Sequence, residues 1–197
     1  MDSSGIRMVI NPADAGMAEK IDSEEPSVPS DVRRWSAHEG WVGWEEEWQV
    51  GVIRRYFRCW LRFHLPSLAG DARALFRVHL NRGDSNVGAL DVVAYRTQGE
   101  EWSPSGQRLG SLGAVDRFEP RWLEMDLPVR ELLPSQINYL ELRAEREETR
   151  GYGTRCAAAF DLMDPAPRAE IVLTYAWRAH PNRGSGMAST ERKEEGT

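Results

Sequence analysis

The alternation of apolar and polar positions is clearest at residues 56–65, YFRCWLRFHL. Phe57, Cys59, Leu61, Phe63 and Leu65 fall on one parity. Arg58, Trp60, Arg62 and His64 fall on the other. Successive side chains of a strand point to opposite faces, so the spacing predicts a half-buried β-strand. Its inner face is apolar and its outer face is cationic and aromatic. Residues 73–80 repeat the pattern, with Ala74, Phe76, Val78 and Leu80 inward against Arg73, Leu75, Arg77 and His79. Further strands are predicted at residues 5–11, 90–96, 138–146 and 156–162, and a last one at 169–177. In the 138–146 strand Leu140, Leu142 and Ala144 point inward. Residues 122–127 alternate only in part. Residues 35–53 hold one or two strands, with Val42 and Trp44 on one parity.

The segments between these strands read as loops by composition. Residues 12–33 contain Pro12, Pro26 and Pro29, which argue against a helix. NRGDSNVG at 81–88 is turn-rich. Residues 98–121 are long, polar and Gly-rich, anchored by Trp102 and Phe118. PVRELL at 128–133 suits a short helical turn, because proline is accommodated at a first helical position. Residues 179–197 are polar and poor in apolar residues, which predicts a disordered tail after a single domain over 1–178. Eight to ten short strands, almost no helical periodicity and no internal repeat predict an all-β fold. The expected architecture is an antiparallel β-sandwich of jelly-roll type.

Composition narrows the function classes. The chain has 197 residues, is 41% hydrophobic and 28% charged, and carries a net charge of -6 with a pI near 5.3. Nucleic-acid binding normally needs a basic field, so this balance argues against it. No stretch is long and apolar enough to span a membrane, and the start MDSSGIRMVI lacks the pattern of a secretory signal. The expectation is a protein that stays in the cytoplasm until it is released or assembled into an extracellular particle. Cys59 and Cys156 belong to no CxxC or Cys/His cluster and read as two buried free thiols. Whether they pair is not decided by their spacing.

Several stretches, in order, resemble the disaggregatase-related repeat (DNRLRE) domains. Pro12-Ala13-Asp14-Ala15 follows the first strand, and Gly40-Trp41-Val42-Gly43-Trp44 resembles the family's second-strand motif. Residues 59–68, CWLRFHLPSL, resemble its Leu-Arg-Phe strand and turn, with His64 where the family usually has Asp. Val92–Arg96 followed by Trp102, then 127–133 and 168–175, complete the series over nearly all of residues 5–177. The resemblance implies a jelly-roll module similar to carbohydrate-binding modules.

The candidate ligand-binding face is Arg58, Trp60, Arg62, His64, Arg77 and His79, provided the two strands that carry them pair. Arg and His would hydrogen-bond the carboxylates of an acidic polysaccharide while Trp60 stacks on a sugar ring. The alternative is an ordinary solvated or interface-facing sheet surface. Eight tryptophans are many for this length, and Trp41, Trp44 and Trp48 form a candidate aromatic platform. They cannot all share one parity in a regular strand. Asp14 is a candidate ligand for a structural Ca²⁺, with Asp161 and Asp164 as further oxygen donors, since calcium takes six to eight oxygens. A lyase-like arrangement would need Arg62, His64, His79 and a tyrosine in one cleft. No GxSxG, HExxH, P-loop or dinucleotide motif is present. The expected role is therefore non-catalytic: a carbohydrate-binding or accessory surface module. The alternative is a structural component of a larger particle, such as a virion, injection apparatus or surface layer, acting through protein partners and oligomerisation.

Overall fold

The structure is a computed structural model that describes residues 6–48, 51–68, 71–99, 102, 105–147, 151–164 and 168–175. It is all-β, and every strand pair is antiparallel. Twelve strands follow in chain order: β1 Ile6–Ile10, β2 Asp14–Ser23, β3 Asp31–Ser36, β4 Glu39–Trp48, β5 Val52–His64, β6 Arg73–Ser85, β7 Leu90–Thr97, β8 Gln107–Val115, β9 Arg121–Leu127, β10 Ile137–Ala144, β11 Arg155–Asp161 and β12 Glu170–Tyr175. The main path runs β1-β12-β6-β11-β4-β5-β10-β7-β8, with β2 and β3 beside β5 and β9 beside β6.

The two longest strands shape the molecule. Along one edge β5 pairs with β2; along the other it pairs first with β4, from Val52 to Phe57, and then with β10, from Cys59 to His64. β6 forks in the same way, with β9 on one edge and β12 followed by β11 on the other. A strand that changes partner midway belongs to both layers, so the sheet curls over itself into a sandwich-like fold. Cys59, Leu61, Phe63 and Leu65 meet Ala74, Phe76, Val78 and Leu80 in one core with Leu140, Leu142, Phe160, Ile171 and Leu173. This is the inner parity predicted for both strands except at Phe57, which is half-buried and outside the core, while its neighbour Tyr56 packs against the core instead. The Pro128-initiated turn is a short 3₁₀ segment, Val129–Glu131.

Three loop expectations are corrected. Residues 12–33 contain β2 and the start of β3. Asp14–Ser23 lies between the prolines, and its Ala15, Met17 and Ile21 are buried. Within 98–121 lies β8, which pairs with β7 through two register shifts. β6 continues through Arg82-Gly83-Asp84 to Ser85 because β11 extends the ladder there. The predicted tail at 179–197 lies outside the described residues, as do residues 176–177 of the last predicted strand.

Candidate functional site

The six candidate residues do not form one face. β5 and β6 are not neighbours; their apolar parities meet across the core. Their outer parities therefore point away from each other. Arg58, Trp60, Arg62 and His64 belong to one outer face, and Arg77 and His79 to the opposite one. The arrangement of Arg62, His64 and His79 in a single cleft does not occur.

The β5 face is covered rather than exposed. Trp60 is only 6% exposed. Its cross-strand partner is Gly16 on β2, and a Cβ there would lie 2.7 Å from the indole. The ring thus occupies the space that a side chain would otherwise fill. Arg34 of β3 lies over the same ring, 5.8 Å from its centroid. Trp60 Nε1 is buried with no hydrogen-bond partner among the described residues. An outward-facing, sugar-stacking Trp60 is therefore overturned: β2 and β3 cover it.

Arg58 is buried as well and is matched on several sides. Its Nε and Nη2 donate to the Glu147 carboxylate at 2.7 Å each, and Nη1 donates to Glu141 Oε1 at 3.1 Å. The guanidinium lies 4.0 Å from the centroid of Trp102. Arg143 approaches Glu141 Oε1 at 3.5 Å and stacks on Tyr95 at 3.4 Å from the ring centroid. Burial pushes the Glu141 carboxyl up, and the arginines beside it only partly reverse the shift. Burial also pulls Arg143 down. It acts likewise on Arg58, but there Glu147 and Glu141 outweigh it and the net shift is upward. Two arginines, two carboxylates and two aromatic rings form a compensated stack, and a ligand carboxylate would have to displace a protein one. Arg62 approaches Asp14 at 3.5 Å, and His64 is exposed at the end of β5.

The β6 face is compensated in the same manner. Arg77 Nε lies 2.8 Å from Glu170, and its guanidinium stacks 3.9 Å from the centroid of Trp122. His79 Nδ1 is 2.7 Å from Asp161 Oδ2, and the imidazole meets Trp122 edge-on at 5.5 Å. Asn81 donates to Glu39 at 2.7 Å and to Asp161 Oδ1 at 3.3 Å.

The three platform tryptophans also separate. Trp44 is a core residue. Trp41 lies on the outer face between Arg82 and Arg155, 5.5 and 5.4 Å from its ring. Trp48 is 57% exposed and meets the 71% exposed Tyr152 edge-on, with centroids 5.8 Å apart and planes at 83°. Asp14 accepts from the Ala15 N–H and faces Arg62, Asp164 faces Arg168, and Asp161 faces His79. Among the described residues, no three His, Cys, Asp or Glu gather where they could hold a metal ion.

A concave feature lies at one end of the sandwich and involves different residues; a second of about the same volume, 450 Å³, is a shallower one beside Arg73, Asp126, Pro128 and Arg130. A cleft of about 450 Å³ is lined by Trp44, Leu90, Cys156, Asp91, Glu145 and Arg146, with Val87, Ala89 and Ala144 between them. Trp44, Leu90 and Cys156 are buried and form its floor; Asp91, Glu145 and Arg146 are exposed at its mouth. The walls are tied together. Glu145 N–H donates to Asp91 O at 2.8 Å, and Glu46 N–H donates to Thr154 O at 2.8 Å. Asn86 Nδ2 donates to Gly153 O at 2.8 Å, and Asn86 Oδ1 accepts from the Arg155 N–H at 2.9 Å. These bonds hold the β6–β7 loop against residues 151–154, the segment that also carries Tyr152. Cleft and exposed aromatic pair therefore share one end of the fold. The sequence carried only the parity of Trp44 as a signal for this site. The rest depends on which loops the topology brings together.

No family model and no curated protein matches the chain. The likeness to disaggregatase-related repeat domains thus rests on the motifs quoted above. No helix among the described residues is long and apolar enough to cross a membrane.

Proposed function

We propose that this chain is a non-catalytic β-sandwich module that binds carbohydrate at its loop end. The observation that carries this reading is the 450 Å³ cleft with a buried Trp44 floor and a charged mouth of Asp91, Glu145 and Arg146. That volume falls in the range of small-ligand sites, and the surface this cleft exposes is more polar than apolar, as a hydroxyl-rich ligand requires. Sugars match this lining through their hydroxyls, which donate to carboxylates such as those at the mouth, with the smaller exposed apolar area left for ring C–H groups. At the mouth Glu145 is matched by Arg108 at 3.1 Å, which leaves Asp91 and Arg146 as opposite charges, so the rim carries no excess of either sign to recruit a charged glycan. The sheet-face arginines, which would have favoured an acidic glycan, are already matched by protein carboxylates. The exposed Trp48–Tyr152 pair at the same end offers a second surface for an adjoining sugar unit.

The test is calorimetric titration with neutral and acidic oligosaccharides, repeated on Asp91→Ala and Trp48→Ala. Binding of a neutral oligosaccharide that weakens in both variants supports the reading. Binding restricted to acidic glycans and insensitive to both variants would overturn it. A second reading, as a building block of a larger particle, is favoured by the uncovered apolar side chains of β1.

A further inference from the structure

β1 is the outermost strand of its layer and, among the described residues, pairs with β12 alone. Its sequence is Ile-Arg-Met-Val-Ile, and Ile6, Met8 and Val9 are 56%, 41% and 45% exposed. Ile6, Met8 and Ile10 pair with Tyr175, Leu173 and Ile171, so they continue the core-facing parity beyond the edge of the core. Edge strands are normally protected by lysine, proline, bulges or clustered charge. β3, an outer strand that among the described residues pairs with β2 alone, follows that practice with Asp31, Arg33 and Arg34. β1 has none of these devices: it has one charge, no proline and an unbroken register.

We infer that β1 is the contact through which two copies of this chain associate, strand to strand and antiparallel, about a two-fold axis at Met8. The inference goes beyond the carbohydrate reading and does not depend on it. An antiparallel pairing of identical strands keeps the apolar parity on one face only when the partner positions differ by an even number. Centring on Met8 pairs all of β1: Ile6 with Ile10 of the second copy, Met8 with itself and Arg7 with Val9. Centring on Arg7 would place two guanidinium groups opposite each other, which is unfavourable. The Met8-centred register makes one isologous, self-complementary surface, with aliphatic pairs on the core side and no like charges opposed.

The experiment is light scattering over a concentration series on the full chain, with Met8→Lys, Met8→Cys and Arg7→Cys as variants. The wild-type mass should double with concentration. M8K should remain monomeric, with the melting temperature that the wild type shows at concentrations where it too is monomeric. In the inferred register the Cα atoms of position 8 lie about 4.5–5.5 Å apart across the axis, within disulfide reach. Mild oxidation should therefore convert M8C to a covalent dimer on a non-reducing gel and leave R7C monomeric. The native Cys59 and Cys156 are buried and do not compete. A wild-type chain that stays monomeric at every concentration, or an R7C variant that cross-links as readily as M8C, would overturn the inference. If M8K lowers the melting temperature, the M8C and R7C pair still decides the matter.

Discussion

Phe63 on β5 and Phe76 on β6 meet edge to face, with ring centroids 6.3 Å apart and planes at 89°. This contact governs what the outer faces can do. Two strands whose inner parities touch through the core must point their outer parities in opposite directions. Arg58 and Arg77, similar in sequence pattern, consequently lie on opposite surfaces and answer to different carboxylates.

Leu61→Ala should destabilise the protein by about 2–5 kcal/mol, because it empties a fully buried position between β2 and β10. Urea unfolding would measure it. A change of about 0.5 kcal/mol, the size of an ordinary surface substitution, would mean that the parity of β5 is inverted.

Trp60→Ala should cost a similar amount, about 3–5 kcal/mol, although it belongs to the opposite parity. The indole is enclosed by Gly16 and Arg34, so its removal leaves a cavity rather than an exposed gap. A melting temperature within a degree or two of wild type would show that Trp60 faces solvent after all.

This position also shows where sequence patterning stops being informative. Alternation identifies which parity of β5, β6 and β10 faces the core, because apolar residues must leave water together. It does not say that a further ladder covers the other parity. Asp14–Ser23 reads as loop because Glu, Asp and Ser dilute it, yet Ala15, Met17 and Ile21 alternate inward. β8 is hidden by its glycines and by the register shifts in its pairing with β7. The loop-end cleft is less legible still. It joins Trp44, Asp91 and Cys156, residues far apart in the chain, and only strand order brings them together.

Gly16→Ala tests the covering of Trp60 independently. A methyl group there would meet the Trp35 carbonyl oxygen at 2.1 Å and the Trp60 ring at 2.7 Å. Backbone on one side and a buried ring on the other leave little room to yield. The expected cost is about 1–3 kcal/mol, as for overpacking elsewhere. Thermal unfolding of the variant, together with its near-ultraviolet circular dichroism, would report both the loss and the displacement of the indole. An unperturbed tryptophan signal with wild-type stability would contradict the packing described.

Glu141 gives a pH-dependent expectation. Burial raises its carboxyl above 4.5, so the folded state holds this proton more tightly than the unfolded state does. Stability then falls, as far as this group is concerned, while pH rises from 4.5 through the raised value, and levels off above it. Glu141→Gln cannot titrate and lacks this component. The difference in unfolding free energy, variant minus wild type, should therefore shift in the variant's favour across that window. Unfolding of both proteins at closely spaced pH values would measure it. A shift in wild type's favour would mean that Arg58 and Arg143 outweigh burial and hold the carboxyl low.

Trp48→Ala and Tyr152→Ala separate binding from folding. Both rings are more than half exposed and touch each other edge-on, so truncating either should change stability by no more than about 1 kcal/mol. Exposed aromatic side chains beside a cleft dominate binding far more than they dominate folding. Each variant should thus weaken binding of a neutral oligosaccharide by roughly tenfold or more, while Trp60→Ala destabilises the fold. If binding survives both substitutions but is lost in Asp91→Ala, the ligand is confined to the cleft and is a single sugar unit. If it survives all three, the loop end is not where the sugar sits.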